Sequence, residues 1–168
     1  MDNIAKIARF NFWDQPLKTG YPRSVYLERL KRYQASNLIK VLVGQRRVGK
    51  SYILRQVISD LVAEGVPARA TLYINMEFVE YDFIRNAKDL LELVNSFFAG
   101  HEGPAYVFVD EIQSIPAWEK AVNSLAQDFT REVFIYITGS NAQLLSSELA
   151  TFLSGRYVKF LILPFSFA

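Results

Sequence analysis

The residues able to do chemistry stand at the ends of short apolar runs. After the run Leu38-Ile-Lys-Val-Leu-Val43 comes Gly44-Gln45-Arg46-Arg47-Val48-Gly49-Lys50-Ser51, with Tyr52 opening a helical pattern. The string fits G-x-x-x-x-G-K-[ST] at every specified position, between a strand and a helix. Gly44 and Gly49 permit backbone turns that aim several N–H groups at one centre, an anion cradle at a helix N-terminus. There Lys50 would reach the β- and γ-phosphates of a nucleotide and the Ser51 hydroxyl would ligate Mg²⁺. Gln45, Arg46, Arg47, Val48 and Tyr52 belong to the same binding segment. With glycine near ~7% of residues, a chance match arises in on the order of one chain in a hundred, and the strand–loop–helix context lowers that further.

A second constellation closes the run Val107-Phe-Val109 with Asp110 and Glu111. Carboxylates at the carboxyl end of a buried parallel strand lie at the crevice where α/β sheets bind ligands. Asp110 would hold Mg²⁺ through its water, and Glu111 would orient and polarise a water against the γ-phosphate. The competing reading has one of the pair capping the next helix. A third run ends Ile137-Thr138-Gly139-Ser140-Asn141. Ser140 or Asn141 could hydrogen-bond the γ-phosphate or the attacking water, or serve as a helix N-cap.

The elements that must position these residues follow from periodicity. Apolar runs at 38–43, 70–76, 105–109, 132–138 and 157–163 read as strands buried on both faces, since they are apolar almost throughout. Helical spacing separates them over about 50–64, 83–98 (Ala87, Leu90, Leu91, Val94 and Phe97 on one face), from near Pro116 (Ala121, Val122, Leu125 and Phe129 inward) and over about 142–153. Such alternation implies right-handed crossovers and a mostly parallel sheet, a three-layer α/β architecture. Residues 1–36 read as an aromatic and basic segment with a helix around 24–33, residues 37–168 as the core. Phe10, Phe12 and Trp13 are expected to pack against that core.

Composition narrows the chemistry. The 168 residues suit one domain, and 51% apolar with 14% aromatic residues excludes disorder as the main state. There are no cysteines, so disulfides, thiolate metal sites and a cysteine nucleophile are excluded and a reducing, cytoplasmic setting is expected. His101 is the only histidine and sits between Gly100 and Gly103, as in a solvated turn. A net charge of +2 does not announce nucleic acid. The pair Arg46–Arg47 and the series Arg23, Arg29 and Arg32 read better as solvated charge. No stretch reaches the ~18 uncharged apolar residues of a membrane span. The apolar ending at 159–168 suggests a piece of a longer protein, because exposed strands of this kind aggregate.

Taken together, 45–51, the string Phe108-Val-Asp-Glu-Ile-Gln113 with Trp118-Glu119, 137–141, and Leu153-Ser-Gly-Arg-Tyr157 running into Leu163-Pro-Phe-Ser-Phe167 resemble the AAA+-type prokaryotic ATPases that carry a C-terminal DUF4143 domain. The likeness runs from about Ser24 to the end. It implies a P-loop NTPase fold with a five-stranded sheet of order 5-1-4-3-2, and an ATP- and Mg²⁺-dependent hydrolase that couples ATP/ADP state to a partner. It further implies Ser140 or Asn141 as a sensor of the γ-phosphate. Arg156 would be an arginine finger acting in trans within a homo-oligomer, against the alternative of an ion pair with Glu148 or a helix cap. Asn75, on the strand expected beside the one bearing Glu111, could hold that carboxylate, against plain strand-end capping. The chain ends before the lid and C-terminal domain of such proteins. Two other readings stand beside this one: a P-loop phosphotransferase, and a nucleotide-gated interaction module with little hydrolysis. An Asn-Lys-x-Asp guanine reader is absent; the nearest string is Asn86-Ala-Lys-Asp89. Residues 21–23 are a candidate wall for the base by position.

Overall fold

Apolar runs assemble here into one sheet whose strands, β1 (Ile39–Val43), β2 (Thr71–Asn75), β3 (Ala105–Asp110), β4 (Val133–Gly139) and β5 (Tyr157–Leu161), are all parallel. β1 to β4 are buried throughout, whereas β5, expected to be buried on both faces, lies at the sheet edge with only Phe160 buried. The order β2-β3-β4-β1-β5 is the expected 5-1-4-3-2. The structure, a computed structural model, describes residues 2–165, and 142–145 by backbone alone. The end of the string at Ser166 and Phe167, with Ala168, lies outside the described residues.

Among the described residues six helices flank the sheet: α1 (Asn3–Ile7), α2 (Ser24–Lys31), α3 (Lys50–Ala63), α4 (Ala87–Phe97), α5 (Trp118–Ala126) and α6 (Ala142–Phe152). Residues alternate between the two faces of every strand, and each face builds a core of its own. Val41, Val43, Ile74, Val107, Val109, Ile135 and Ile137 form an aliphatic face that packs with Leu90 and Val94 of α4 and Trp118 and Val122 of α5. Tyr73, Tyr106, Phe108, Phe134 and Tyr136 form an aromatic face under Ile53, Leu54, Val57 and Leu61 of α3. Across β3 and β4 the rings stack in pairs, Tyr106 on Phe134 at 5.1 Å and Phe108 on Tyr136 at 4.7 Å.

The first 36 residues close both layers. Ile7 and Trp13 join the aliphatic core, while Phe12 and Leu30 join the aromatic one. Asn11 covers the free edge of β2: its amide donates to the Tyr73 carbonyl at 3.2 Å and its carbonyl accepts from the Tyr73 N–H at 2.7 Å. An open sheet edge is thereby paired by a side chain.

Element ends differ from the periodic reading where local chemistry intervenes. α4 begins at Ala87 rather than at 83, because the Asn86 side chain caps it by accepting from the Asp89 N–H. α5 ends at Ala126, and Asp128 then takes the Thr130 N–H in a tight turn. Phe129, expected inward, is consequently 97% exposed. His101 does lie in a turn, with Nε2 3.1 Å from the Pro104 carbonyl.

Candidate functional site

Three strand ends converge. The register sets Val43 beside Gly139, Val109 beside Ile137, and Asn75 beside Asp110. The loop after β1, the acids after β3 and the polar residues after β4 therefore meet at one end of the sheet.

The loop 44–49 folds because two glycines allow what other residues would resist. A Cβ on Gly44 would stand 2.5 Å from the Ile162 carbonyl oxygen, so the chain after β5 passes where only glycine fits. Gly49 has φ +97° and leads straight into α3. Arg47 also adopts positive φ, at 66°, an uncommon conformation for a residue with a side chain. Lys50 is 4% exposed, and its Nζ donates to the carbonyls of Gly44 and Gln45, each at 2.7 Å. Burial pushes its ammonium below the ordinary value, offset in part by Glu111, Asp110 and Glu77. The lysine is thus a cation held on neutral carbonyls, with carboxylates nearby.

Asp110 is fully buried. Tyr73 donates its hydroxyl to Oδ2 at 2.8 Å, and Thr138 donates to Oδ1 at 2.5 Å. The Asn75 amide lies 3.5 Å from Oδ2 and donates to the Tyr73 oxygen at 3.2 Å. Burial, with Asp110 next, drives the Tyr73 hydroxyl far above its usual pKa, so it stays a donor. Thr138 also links the two acids, accepting from the Glu111 N–H at 3.0 Å. Glu111 itself adopts φ 57°, which turns the chain out of β3 into a 3-10 turn over Ile112–Ser114. Its carboxylate Oε2 accepts from Ser140 Oγ at 2.9 Å and from Gln113 Nε2.

A cleft of about 600 Å³ opens over these groups, lined among others by Lys50, Ser51, Tyr52, Asn75, Glu111 and Phe165. The N-terminal segment supports this lining from behind. Arg23, expected as solvated charge, is instead buried, because its guanidinium donates to the Val48 carbonyl and the Leu163 carbonyl at 2.7 Å each and lies 4.0 Å from the Phe165 ring centre. Gln56 of α3 fastens the same segment through the carbonyls of Thr19 and Tyr21. The structure thus sets residues 21–23 against the loop, with Tyr21 edge-on to Phe165 at 5.9 Å.

Most of the residues read from sequence come together: Gly44 to Tyr52, Asp110, Glu111 and Ser140 share this end of the sheet, and Asn141 follows it, exposed. Asp110 is set behind the lining, with both oxygens engaged. Asn75 stands on the strand next to Glu111's, yet its amide turns to Asp110 and Tyr73; Gln113 and Ser140 hold the glutamate instead. Register puts Asn75 opposite Asp110, one residue short of Glu111. Arg156 lies elsewhere. It precedes β5 at the far end of the sheet, and five residues at ~3.3 Å each separate it from the loop side, roughly 16 Å. It donates to Asn123 Oδ1 at 3.1 Å, while Glu148 accepts from the Trp118 indole, so the Arg156–Glu148 pair does not form. Tyr73, Thr138 and Gln113 were not singled out as site residues. A hydroxyl at the middle of β2 (Tyr73) or next to the last residue of β4 (Thr138), or an amide two residues past Glu111, carries no signal until the strand order is known.

No helix among the described residues is long and apolar enough to cross a membrane. Residues 36–168 match the family model described as AAA domain. An uncharacterized protein of Haemophilus influenzae is 42% identical over 150 residues, covering 89% of this chain and 37% of that protein. Another, of Methanocaldococcus jannaschii, is 38% identical over 131 residues, covering 78% and 27%. The chain therefore spans about a third of the length of these curated relatives. Among solved structures, a Walker-type ATPase of Pyrococcus abyssi superposes with a TM-score of 0.61 at 19% identity, over 88% of this chain and 55% of that one. Saccharomyces cerevisiae Rif2 superposes with a TM-score of 0.58 at 16% identity, over 98% and 62%. These two likenesses concern the fold.

Proposed function

The chain belongs to the AAA domain family, and from that premise we propose that this P-loop NTPase domain binds ATP with Mg²⁺, hydrolyses it, and couples the nucleotide state to a partner. The observation that carries the reading is one cleft lined by Lys50 and Ser51 on one side and Glu111 on the other.

On binding, Lys50 exchanges the Gly44 and Gln45 carbonyls for phosphate oxygens, a charge-assisted contact stronger than the ones it leaves. The N–H groups of the loop and of the first turn of α3 receive the remaining phosphate charge. A bound Mg²⁺ would neutralise charge on the phosphates. The residues present fit it: Ser51 lines the cleft, and its hydroxyl would be a direct ligand. Asp110, whose two oxygens already accept from Tyr73 and Thr138, would act through coordinated water. Among the described residues no group of three or more His, Cys, Asp or Glu could hold a metal by itself. The ion's other positions therefore fall to phosphate and water, as is usual for Mg²⁺.

Glu111 then takes a proton from a water whose oxygen attacks the γ-phosphorus. The bond from that phosphorus to the bridging oxygen breaks, and ADP leaves with the electron pair. Asn141 and Ser140, just past β4, are proposed as the γ-phosphate sensors. Arg156, distant from the cleft of its own subunit, is proposed to serve the cleft of a neighbouring one. Its fixed charge and planar fork suit the spreading charge of phosphoryl transfer.

The test is phosphate release from Mg·ATP by the full-length protein with no acceptor added. Release that disappears in Lys50→Ala supports the reading. Transfer only to an added acceptor would make the protein a phosphotransferase, and binding without release would make it a nucleotide-gated module.

A further inference from the structure

Resting on the hydrolytic reading of Glu111, we infer that Gln113 is a positioning residue which, with Ser140, fixes the glutamate carboxylate at the cleft. Three bonds close a triangle. Gln113 Nε2 donates to Glu111 Oε2, the same nitrogen lies 3.3 Å from Ser140 Oγ, and Ser140 donates to that same Oε2 at 2.9 Å.

The turn that carries Gln113 is built for this. Glu111 leaves β3 in the left-handed conformation, and the 3-10 turn folds the chain back so that residue 113 faces residue 111. Ile112 and Ile115, both fully buried, anchor the turn on either side, and the Ile115 N–H bonds the Ile112 carbonyl at 3.0 Å. Gln113 is thus presented by rigid backbone rather than by a free loop.

Its own bonding shows what orients it. The Gln113 Oε1 atom is buried without a hydrogen-bond partner among the described residues. An unsatisfied buried acceptor is unfavourable. Turning the amide over would set that oxygen against the Glu111 carboxylate, whereas the present orientation gives a charge-assisted bond. Gln113 is therefore placed for Glu111. A glutamate with three free side-chain torsions would otherwise sample many rotamers and lose them on reaction. Holding one oxygen by two donors spends that entropy in advance. Gln113 does not line the cleft, and its amide contacts Glu111 and Ser140 rather than the phosphate loop.

The experiment uses the full-length protein with Gln113→Met, which keeps length and loses the donor, and Gln113→Glu, which keeps shape and offers only acceptors. Expected are Mg·ATP affinity within about twofold of wild type and a kcat lowered by roughly 10- to 100-fold in both, a kcat effect without a binding effect. A crystal structure of ligand-free Gln113→Met should show Glu111 turned away from Ser140. Wild-type kcat in either variant, or a Glu111 carboxylate unmoved in that crystal, overturns the inference. If the wild type itself releases no phosphate, the hydrolytic reading fails, while the crystal comparison still decides whether Gln113 holds Glu111.

Discussion

Asn75 and Asp110 occupy the same rung of neighbouring parallel strands, and the Asn75 amide turns toward the Asp110 carboxylate and the Tyr73 hydroxyl that serves it. The buried acid of this site thus accepts from donors on both β2 and β4. Tyr73 at 2.8 Å is the strong contact from β2, and Asn75 at 3.5 Å is at the limit of a hydrogen bond.

This difference sets the first prediction. Tyr73→Phe removes a donor from a buried carboxylate and should cost about 1–3 kcal/mol of stability. Asn75→Ala should cost less. Urea unfolding of both variants checks the order; an Asn75→Ala loss exceeding that of Tyr73→Phe contradicts the assignment.

The Gly44 position gives a second. A Cβ there meets a backbone carbonyl, Ile162 O at 2.5 Å, which cannot rotate aside. That carbonyl belongs to the residue whose N–H bonds Val43 O at 2.7 Å, tying the chain beyond β5 to the loop. Gly44→Ala should destabilise by about 1–3 kcal/mol, as overpacking does, and weaken nucleotide binding with it. Unchanged melting and unchanged affinity together would show that the loop has more room than described.

A third concerns pH. Lys40 lies fully buried in β1, its Nζ on the Ser36 carbonyl at 2.6 Å and 5.2 Å from the ring centres of both Phe134 and Tyr136. Burial lowers its pKa from 10.5 to about 8. The unfolded chain then binds more protons than the folded one above about pH 8, so this residue makes stability rise with pH from there. The rise should be visible until tyrosines begin to ionise near ~10. Lys40→Met removes it. Melting temperatures of the two proteins between those limits should converge as pH increases; a constant gap would mean that the ammonium stays charged in the fold.

A fourth follows from the place of Arg156 at the opposite end of β5. An arginine that cannot reach its own cleft contributes to hydrolysis only through a neighbour. Specific activity should rise with protein concentration, and mixing Arg156→Ala with Lys50→Ala subunits should restore part of the turnover that each lacks. Concentration-independent turnover without complementation would leave Arg156 as the partner of Asn123 alone.

The sheet was legible because its strands are apolar on both faces and alternate with helices, and the phosphate loop because four fixed positions sit between a strand and a helix. What escaped depends on contacts between distant elements. Phe129 continues the spacing of Val122 and Leu125, yet the Asp128–Thr130 turn ends that helix first and sends the ring to solvent. Gln113 stands two residues beyond Glu111, where only the left-handed turn at Glu111 brings it back. Tyr73 reads as one more core aromatic of β2, and its hydroxyl acquires a task only because β3 lies alongside. Asn75 lies on the expected strand but faces Asp110 rather than Glu111, because register follows neither from the pattern of apolar residues nor from the strand order that the family likeness implies.

Glu111 is proposed to act on the attacking water while the phosphate loop binds ATP without it. Single-turnover phosphate release by Glu111→Gln in the full-length protein, with Mg·ATP affinity measured on the same preparation, tests it most directly. The amide keeps the shape of the carboxylate and cannot accept the proton. The account predicts affinity preserved and release slowed by about 10²–10⁴-fold, the range of general base catalysis. Release at the wild-type rate with ATP bound would contradict it.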